Sequence, residues 1–295
     1  MRLRRLRWNW NRLGHRDPLA SILTRTPDEN AAWDVDEFFR TGGLEATRLM
    51  AIVDRLAPSL PKARALDFGC GVGRVTQGLA DHFSEAVGVD VASSMVEAAR
   101  KWNRQPDRCR FTLNEATHLR QFESNGFDLV YSRLVLQHIP PNLVEGYIPE
   151  LVRVLKPDGL LMFQLPEPQR KPVHVDPIEA FCTAPVVGGR FKQSVPRWVV
   201  QTYRRLKYPF LPIVIGRFWS DVYRQVRDFV VPHMDMFGVR RDAVVRLIEG
   251  SGGHVAEIQS DRSVGDIESY EYWVTKRSST REFGDGVGQS AGASA

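Results

Sequence analysis

The chain has 295 residues, 43% of them hydrophobic and 25% charged, enough to bury one large core or one core carrying an insertion. A net charge of +5 favours acidic partners, and no run approaches the roughly 18 apolar residues that a membrane span needs. The cysteines, Cys70, Cys109 and Cys182, are odd in number and lack metal-ligand spacing, which fits a reducing, cytoplasmic setting and argues against zinc or a disulfide framework.

The first sixteen residues, MRLRRLRWNWNRLGHR, are rich in arginine with Trp8 and Trp10 interleaved, and no apolar stretch or small-residue cleavage site follows them. They predict a solvated tail or surface helix, with peripheral contact to a membrane surface or another acidic partner as the alternative. Residues 26–43 have a capping-type start and a glycine pair as their stop. Residues 44–56 then carry apolar side chains at helical spacing up to Pro58 and Pro61. The aromatics of 37–43 read as packing on the core, or as a closing element that brings Arg40 to a ligand's carboxylate.

From residue 64 short apolar runs alternate with helical patterns. Strands are predicted over 64–69, 85–90, 109–114, 127–133 and 159–165, and helices over 74–83, 93–103 and 142–155. Lys-Pro-Asp-Gly at 156–159 reads as the turn closing the last of these helices. Such alternation builds parallel βαβ units with helices on both faces of a sheet. Residues 166–237 break the rhythm with a proline-rich connection and a basic, aromatic stretch, and predict a helical cap. An amphipathic helix over 239–252 follows, then two strands, 254–261 and 269–277, whose short link implies antiparallel pairing. The expected organisation is an N-terminal basic segment and helical lid (1–62), a cofactor-binding core (63–166) and a cap that shapes an acceptor pocket (167–237). A C-terminal helix and strands complete the core (238–277), and a tail of disordered composition ends the chain (278–295).

The strand at 64–69 runs into Gly69-Cys70-Gly71-Val72-Gly73 and then into a helix. That arrangement sets bare backbone N–H groups and a positive helix end against a ligand. A dinucleotide loop needs G-x-G-x-x-G. Counted from Gly69 its last position is Arg74, and from Gly71 it is Thr76, so the register fails. No G-K-[ST] follows, which excludes a nucleotide-triphosphate loop. Asp67 precedes the glycines by two residues, where a charged amine would meet it. Asp90 ends the second strand, where an acid grips ribose hydroxyls, and Val91 and Met95 follow as apolar partners for a flat base. Glu115 and Ala116 follow the third strand, Ser132 ends the fourth, and His138 lies in the loop beyond as a general base or a packing residue.

Taken in order, the glycine loop, Asp90, NEATHL (114–119), FDLVYS (127–132) and VRVLKPDGLLMF (152–163) resemble the class I S-adenosylmethionine-dependent methyltransferases, closely over 63–166 and in pattern over 239–277. The resemblance implies an α/β fold, a Rossmann-like doubly wound seven-stranded sheet with its last strand antiparallel. It implies S-adenosyl-L-methionine as cofactor, with Asp67, Gly69, Gly71 and Gly73 around the methionine part, Asp90 on the ribose, Val91 and Met95 against the base, Glu115 and Ala116 lining the adenine, and Ser132 nearby. Where the family commonly has Gly-Asp this chain has Asn114-Glu115, which keeps a carboxylate. The function expected is methyl transfer to oxygen or nitrogen of a small-molecule or glycan-like acceptor, the cap choosing the acceptor. An NAD(P)-dependent oxidoreductase and a non-catalytic cofactor-binding protein are the alternatives. No metal site is expected, and no nucleic-acid-binding motif is present.

Overall fold

A computed structural model describes residues 3–23, 33–168, 235–262 and 267–276. Five parallel strands form the centre: β1 (Arg64–Phe68), β2 (Glu85–Asp90), β3 (Cys109–Leu113), β4 (Phe127–Ser132) and β5 (Leu155–Pro166). With β6 (Gly253–Asp261) and β7 (Ser269–Lys276) they make one seven-stranded sheet in the order β3-β2-β1-β4-β5-β7-β6. β7 runs antiparallel to both of its neighbours, β5 and β6. The sheet is Rossmann-like, doubly wound and covered on both faces, which is why β4 reads as an unbroken buried run.

The pleat of period two sorts each strand between two helix layers. Leu66, Val87, Val130 and Leu161 meet α5 (Pro141–Val154) and α6 (Arg241–Gly250) through Val144, Ile148, Leu151, Val244 and Ile248. Ala65, Ala86, Leu129 and Met162 face the other way, onto α2 (Val35–Leu56) and α3 (Arg74–Leu79) through Leu49, Met50, Val53, Val75 and Leu79. Each such side chain contributes about 1.5–3 kcal/mol by leaving water, so the sheet is held by its helices as much as by its ladder.

Two local expectations are corrected. The glycine pair does not stop a helix: α2 runs through Gly42 and Gly43, its start capped by the Asp34 carboxylate accepting from the Glu37 N–H at 2.9 Å. Gly42 is there for closeness, since a Cβ on it would lie 2.0 Å from the Arg74 carbonyl oxygen. Lys156–Gly159 is not a turn after α5 but an irregular start to β5. Pairing with β4 shifts there, Asp158 takes φ +60°, and the Lys156 ammonium is anchored on Asp128 at 2.8 Å. Of the two readings of the basic N-terminus, tail or surface helix, the helix holds, with one side buried. It forms α1 (Leu3–Arg16), with Leu6 and Asn9 buried, against α4 (Ser93–Lys101). Asn11 caps α4 from a distance in sequence: its Oδ1 accepts from the Ser94 N–H and the Ser93 hydroxyl, both at 3.0 Å. The cap expected over 167–237 and the tail over 278–295 fall mostly or wholly outside the described residues. Among those described, no helix is long and apolar enough to cross a membrane.

Candidate active site at the carboxyl edge of the sheet

The chain order reverses between β1 and β4, and such a switch point opens a crevice beyond the carboxyl ends of the strands. A cavity of about 450 Å³ lies there. Its floor is the loop after β1, where Gly69, Gly71 and Gly73 all have positive φ. The loop is stitched to β2: the N–H groups of Gly69 and Cys70 donate to the Val89 carbonyl at 2.8 and 3.1 Å. Asp90 then closes the turn, its Oδ2 accepting from the Gly71 N–H and its Oδ1 from the Ala92 N–H, both at 2.9 Å. Burial pushes the Asp90 carboxyl up, while these bonds from Ala92 and Gly71 favour its charged form. Each oxygen keeps capacity to accept a further hydrogen bond, the pattern that two adjacent hydroxyls require.

Among the described residues two arginines line the cavity, and both are paired. Arg133, just after β4, lies 3.3 Å from Glu45 of α2, 3.4 Å from Asp261 of β6 and 3.3 Å from Glu271 of β7. Arg74 pairs with the same Glu45 at 2.5 Å, and the Tyr131 hydroxyl donates to Glu45 as well. Burial opposes the charge on Arg133, but Glu45, Glu271 and Asp261 keep it protonated. Glu45, against its own burial, is held below the usual carboxylate range by Arg74, Tyr131 and Arg133.

The opposite wall comes from the N-terminal segment, through Leu6 and Trp10 of α1 and Ile22 beyond it. The Trp10 ring meets His138 edge-on, with centroids 5.3 Å apart. His138 ends a short 3₁₀ turn (Leu136–His138), its Nδ1 2.7 Å from the Asp235 carbonyl and its Nε2 3.1 Å from the Gln137 amide nitrogen. Burial lowers its pKa, and the Asp235 carbonyl opposes that shift.

Residues 66–163 match a family described as a methyltransferase domain. Over that third of the chain the core is similar to S-adenosylmethionine-dependent methyltransferases. Trans-aconitate 2-methyltransferase of Variovorax paradoxus is 39% identical over 119 residues, covering 39% of this chain and 43% of that protein. Phosphoethanolamine N-methyltransferase 2 of Caenorhabditis elegans is 31% identical over 153 residues, 49% of this chain and 34% of its own. The matches to these two relatives thus span less than half the length of each. Among solved structures, magnesium protoporphyrin IX methyltransferase from Synechocystis PCC 6803 with bound SAH aligns over 92% of this chain and 98% of its own, at 16% identity and a TM-score of 0.53, a likeness of fold.

Within this core, Gly69, Gly71, Asp90, Val91, Met95 and His138 line the same cavity. Asp67, Gly73 and Ser132 do not. Asp67 lies behind the loop, where burial pushes its carboxyl up to about 7 against a 2.6 Å hydrogen bond from the Thr76 hydroxyl. Gly73 precedes α3 and faces Phe111, and Ser132 is fully buried in β4. Glu115 and Ala116 are also displaced from the expected role: Glu115 pairs with Arg7 of α1 and is half exposed, and the Ala116 carbonyl accepts from the Tyr147 hydroxyl at 2.7 Å. Asn114, buried and on the cavity wall, holds the position next to β3. Arg40 is exposed and lines a separate groove beside α3. Sequence reasoning missed Leu6, Trp10, Ile22 and Arg133. Only Arg133, a charge beside a buried strand end, carried a local signal.

Proposed function

We propose that this protein transfers a methyl group from S-adenosylmethionine to oxygen or nitrogen of a small-molecule acceptor. The observation that carries the proposal is Asp90, whose carboxylate is locked to the glycine loop at the cavity wall with acceptor capacity left for a ribose diol. The cavity volume lies within the ~300–1,000 Å³ of small-molecule sites, and Val91 and Met95 give it an apolar flank for a base. When bound, the cofactor supplies a methyl already activated on a sulfonium. The chain therefore has to position the acceptor and exclude water, without strong base chemistry. Asp90 holds the ribose, Gly69 and Gly71 let the methionine part lie against bare backbone, and Asn114 takes the base edge that Glu115 was expected to line. His138, beside Trp10 on the cavity wall, helps to shape the space for the acceptor.

The relatives' names, trans-aconitate and phosphoethanolamine methyltransferases, support a small-molecule acceptor. A glycan-like or anionic acceptor is the finer reading, and it rests on the basic, aromatic composition of 167–237, chiefly Trp198, Arg204 and Arg205. Action in the cytoplasm is supported by the buried free thiols of Cys70 and Cys109. Peripheral contact with an anionic surface is supported by Arg4 and Arg12, exposed on the outer side of α1.

Calorimetry tests the cofactor. S-adenosylmethionine or its demethylated product should bind with a Kd in the micromolar range, on the order of −7 to −8 kcal/mol, and NAD far more weakly. Asp90→Ala should cost about 1–3 kcal/mol of that affinity. Equal binding of NAD, or an Asp90→Ala variant with unchanged affinity, overturns the proposal. Failure of any acceptor to yield S-adenosylhomocysteine would leave a cofactor-binding protein without catalysis.

A further inference from the structure

From the cavity wall inward runs a chain of polar groups whose two ends are backbone atoms of fixed polarity. At one end the Leu134 N–H donates to Gln164 Oε1 at 3.2 Å. At the other, His138 Nδ1 lies 2.7 Å from the Asp235 carbonyl, which can only accept. Between them Gln164 Nε2 donates to Gln137 Oε1 at 3.1 Å, and Gln137 Nε2 lies 3.1 Å from His138 Nε2. Gln164 also donates to the Ser269 hydroxyl of β7 at 2.6 Å. Gln164 and Ser269 are fully buried and Gln137 nearly so, which makes an unmatched amide here costly.

Only one set of directions satisfies this chain. A backbone N–H cannot accept, so the oxygen of Gln164 faces Leu134 and its NH₂ faces Gln137. The oxygen of Gln137 then faces Gln164, and its NH₂ faces the imidazole. Nε2 must therefore present its lone pair, and the proton belongs on Nδ1, facing the Asp235 carbonyl. We infer that Gln164 and Gln137 are positioning residues that hold His138 as the neutral Nδ1–H tautomer, its Nε2 lone pair taken up by the Gln137 amide, so that the cavity wall carries no positive charge there.

Protonation of Nε2 sets a donor against the Gln137 NH₂. Turning that amide only moves the conflict to Gln164, and turning Gln164 moves it to Leu134, whose N–H cannot turn. Three amide or peptide groups thus oppose the imidazolium, in the same direction as burial of the ring. Among the described residues, the other charged and titratable groups near His138 are these. Asp235 adjoins Nδ1, α1 offers the uncharged Trp10 ring, and Arg133 and Arg74 are paired with carboxylates. Asp90 and the Tyr147 phenol line the same cavity.

The bearing of this uncharged ring on catalysis rests on reading the cavity as a methyl-transfer site, but its measurement does not. Full-length protein carrying ¹⁵N-histidine gives each imidazole's tautomer by long-range ¹H–¹⁵N correlation, and His138→Gln assigns the signal. The Nδ1–H form of His138 should exceed the Nε2–H form by about tenfold or more at pH 7, the reverse of a free histidine side chain. In Gln164→Met, close to isosteric, the Gln137 amide is free to turn, and the titration midpoint of His138 should rise. The acidic limb of any methyl-transfer pH profile should rise with it while cofactor affinity holds. A wild-type Nε2–H tautomer, or an imidazolium at pH 7, overturns the inference whether or not the variant folds. An unmoved midpoint in a folded Gln164→Met overturns it too. Loss of cofactor binding by the wild type would refute the methyl-transfer reading and leave the tautomer result standing.

Discussion

The placement of the N-terminal segment over the glycine loop has a measurable energetic signature at Gly71. This residue has φ +54°, and a Cβ built on it would lie 2.5 Å from Ile22 Cδ1 and 3.1 Å from its Cγ1. Gly71→Ala therefore carries two costs. Holding an L-residue in the left-handed region costs about 1–2 kcal/mol. Moving the half-buried tip of Ile22 out of contact forfeits part of its apolar burial, roughly 0.5–1.5 kcal/mol. Ile22→Ala removes the second cost and leaves the first. Urea unfolding of the wild type, both single variants and the double variant should show coupling of roughly 0.5–1.5 kcal/mol, with the double variant less destabilised than the sum. The same four proteins, titrated with S-adenosylmethionine, should show tighter binding for Ile22→Ala alone, because a ligand lying on Gly71 must displace that side chain. Additivity within about 0.3 kcal/mol would refute the seating of Ile22 on the loop.

Three further outcomes are expected. Asp67 has a folded-state pKa of about 7, so the folded chain keeps a proton that the unfolded chain loses near 3.8. Stability falls as pH rises between those values and levels off above them; Asp67→Asn should match the wild type near pH 4 and gain on it in Tm up to about pH 7. Asn11→Ala removes the bonds that tie α1 to Ser93 and Ser94. It should loosen the helix by about 1–3 kcal/mol, read as faster amide exchange across α1 with the sheet unchanged. Changing Arg204 and Arg205 together to Ala should weaken acceptor turnover while cofactor affinity stays within about a factor of three; equal loss in both, or none in turnover, counts against an acceptor role for that segment.

The parts of this molecule that were legible are those written in local pattern. The alternation of apolar runs and amphipathic stretches marked five parallel strands and the final antiparallel pair, because period and length are set within a few residues. The glycine loop and Asp90 were legible for the same reason: a strand end fixes where its next residue points. One residue further on this certainty lapses. After β3 the cavity wall is Asn114, and Glu115 turns outward to Arg7, a choice made by a helix more than a hundred positions earlier. Gly42 misled by composition, since a glycine that lets two helices touch looks like one that ends a helix. The inner face of α1 was hidden because its partners, Ser93 and Ser94, are more than eighty residues away.

The position of β7 between β5 and β6 also sets a schedule for synthesis. β5 ends at Pro166, but the strand that covers its second edge starts at Ser269, roughly 100 residues later. At roughly 5–20 residues per second, a ribosome leaves that edge open for roughly 5–20 s. During that interval Leu160-Leu161-Met162-Phe163, apolar and uncharged, present unpaired backbone to any neighbouring nascent chain. Arg133 meanwhile waits for Asp261 and Glu271, which arrive on the same late hairpin. A lesion in β7 will therefore show first as aggregated nascent protein, and chaperones that cover strand edges will set the yield.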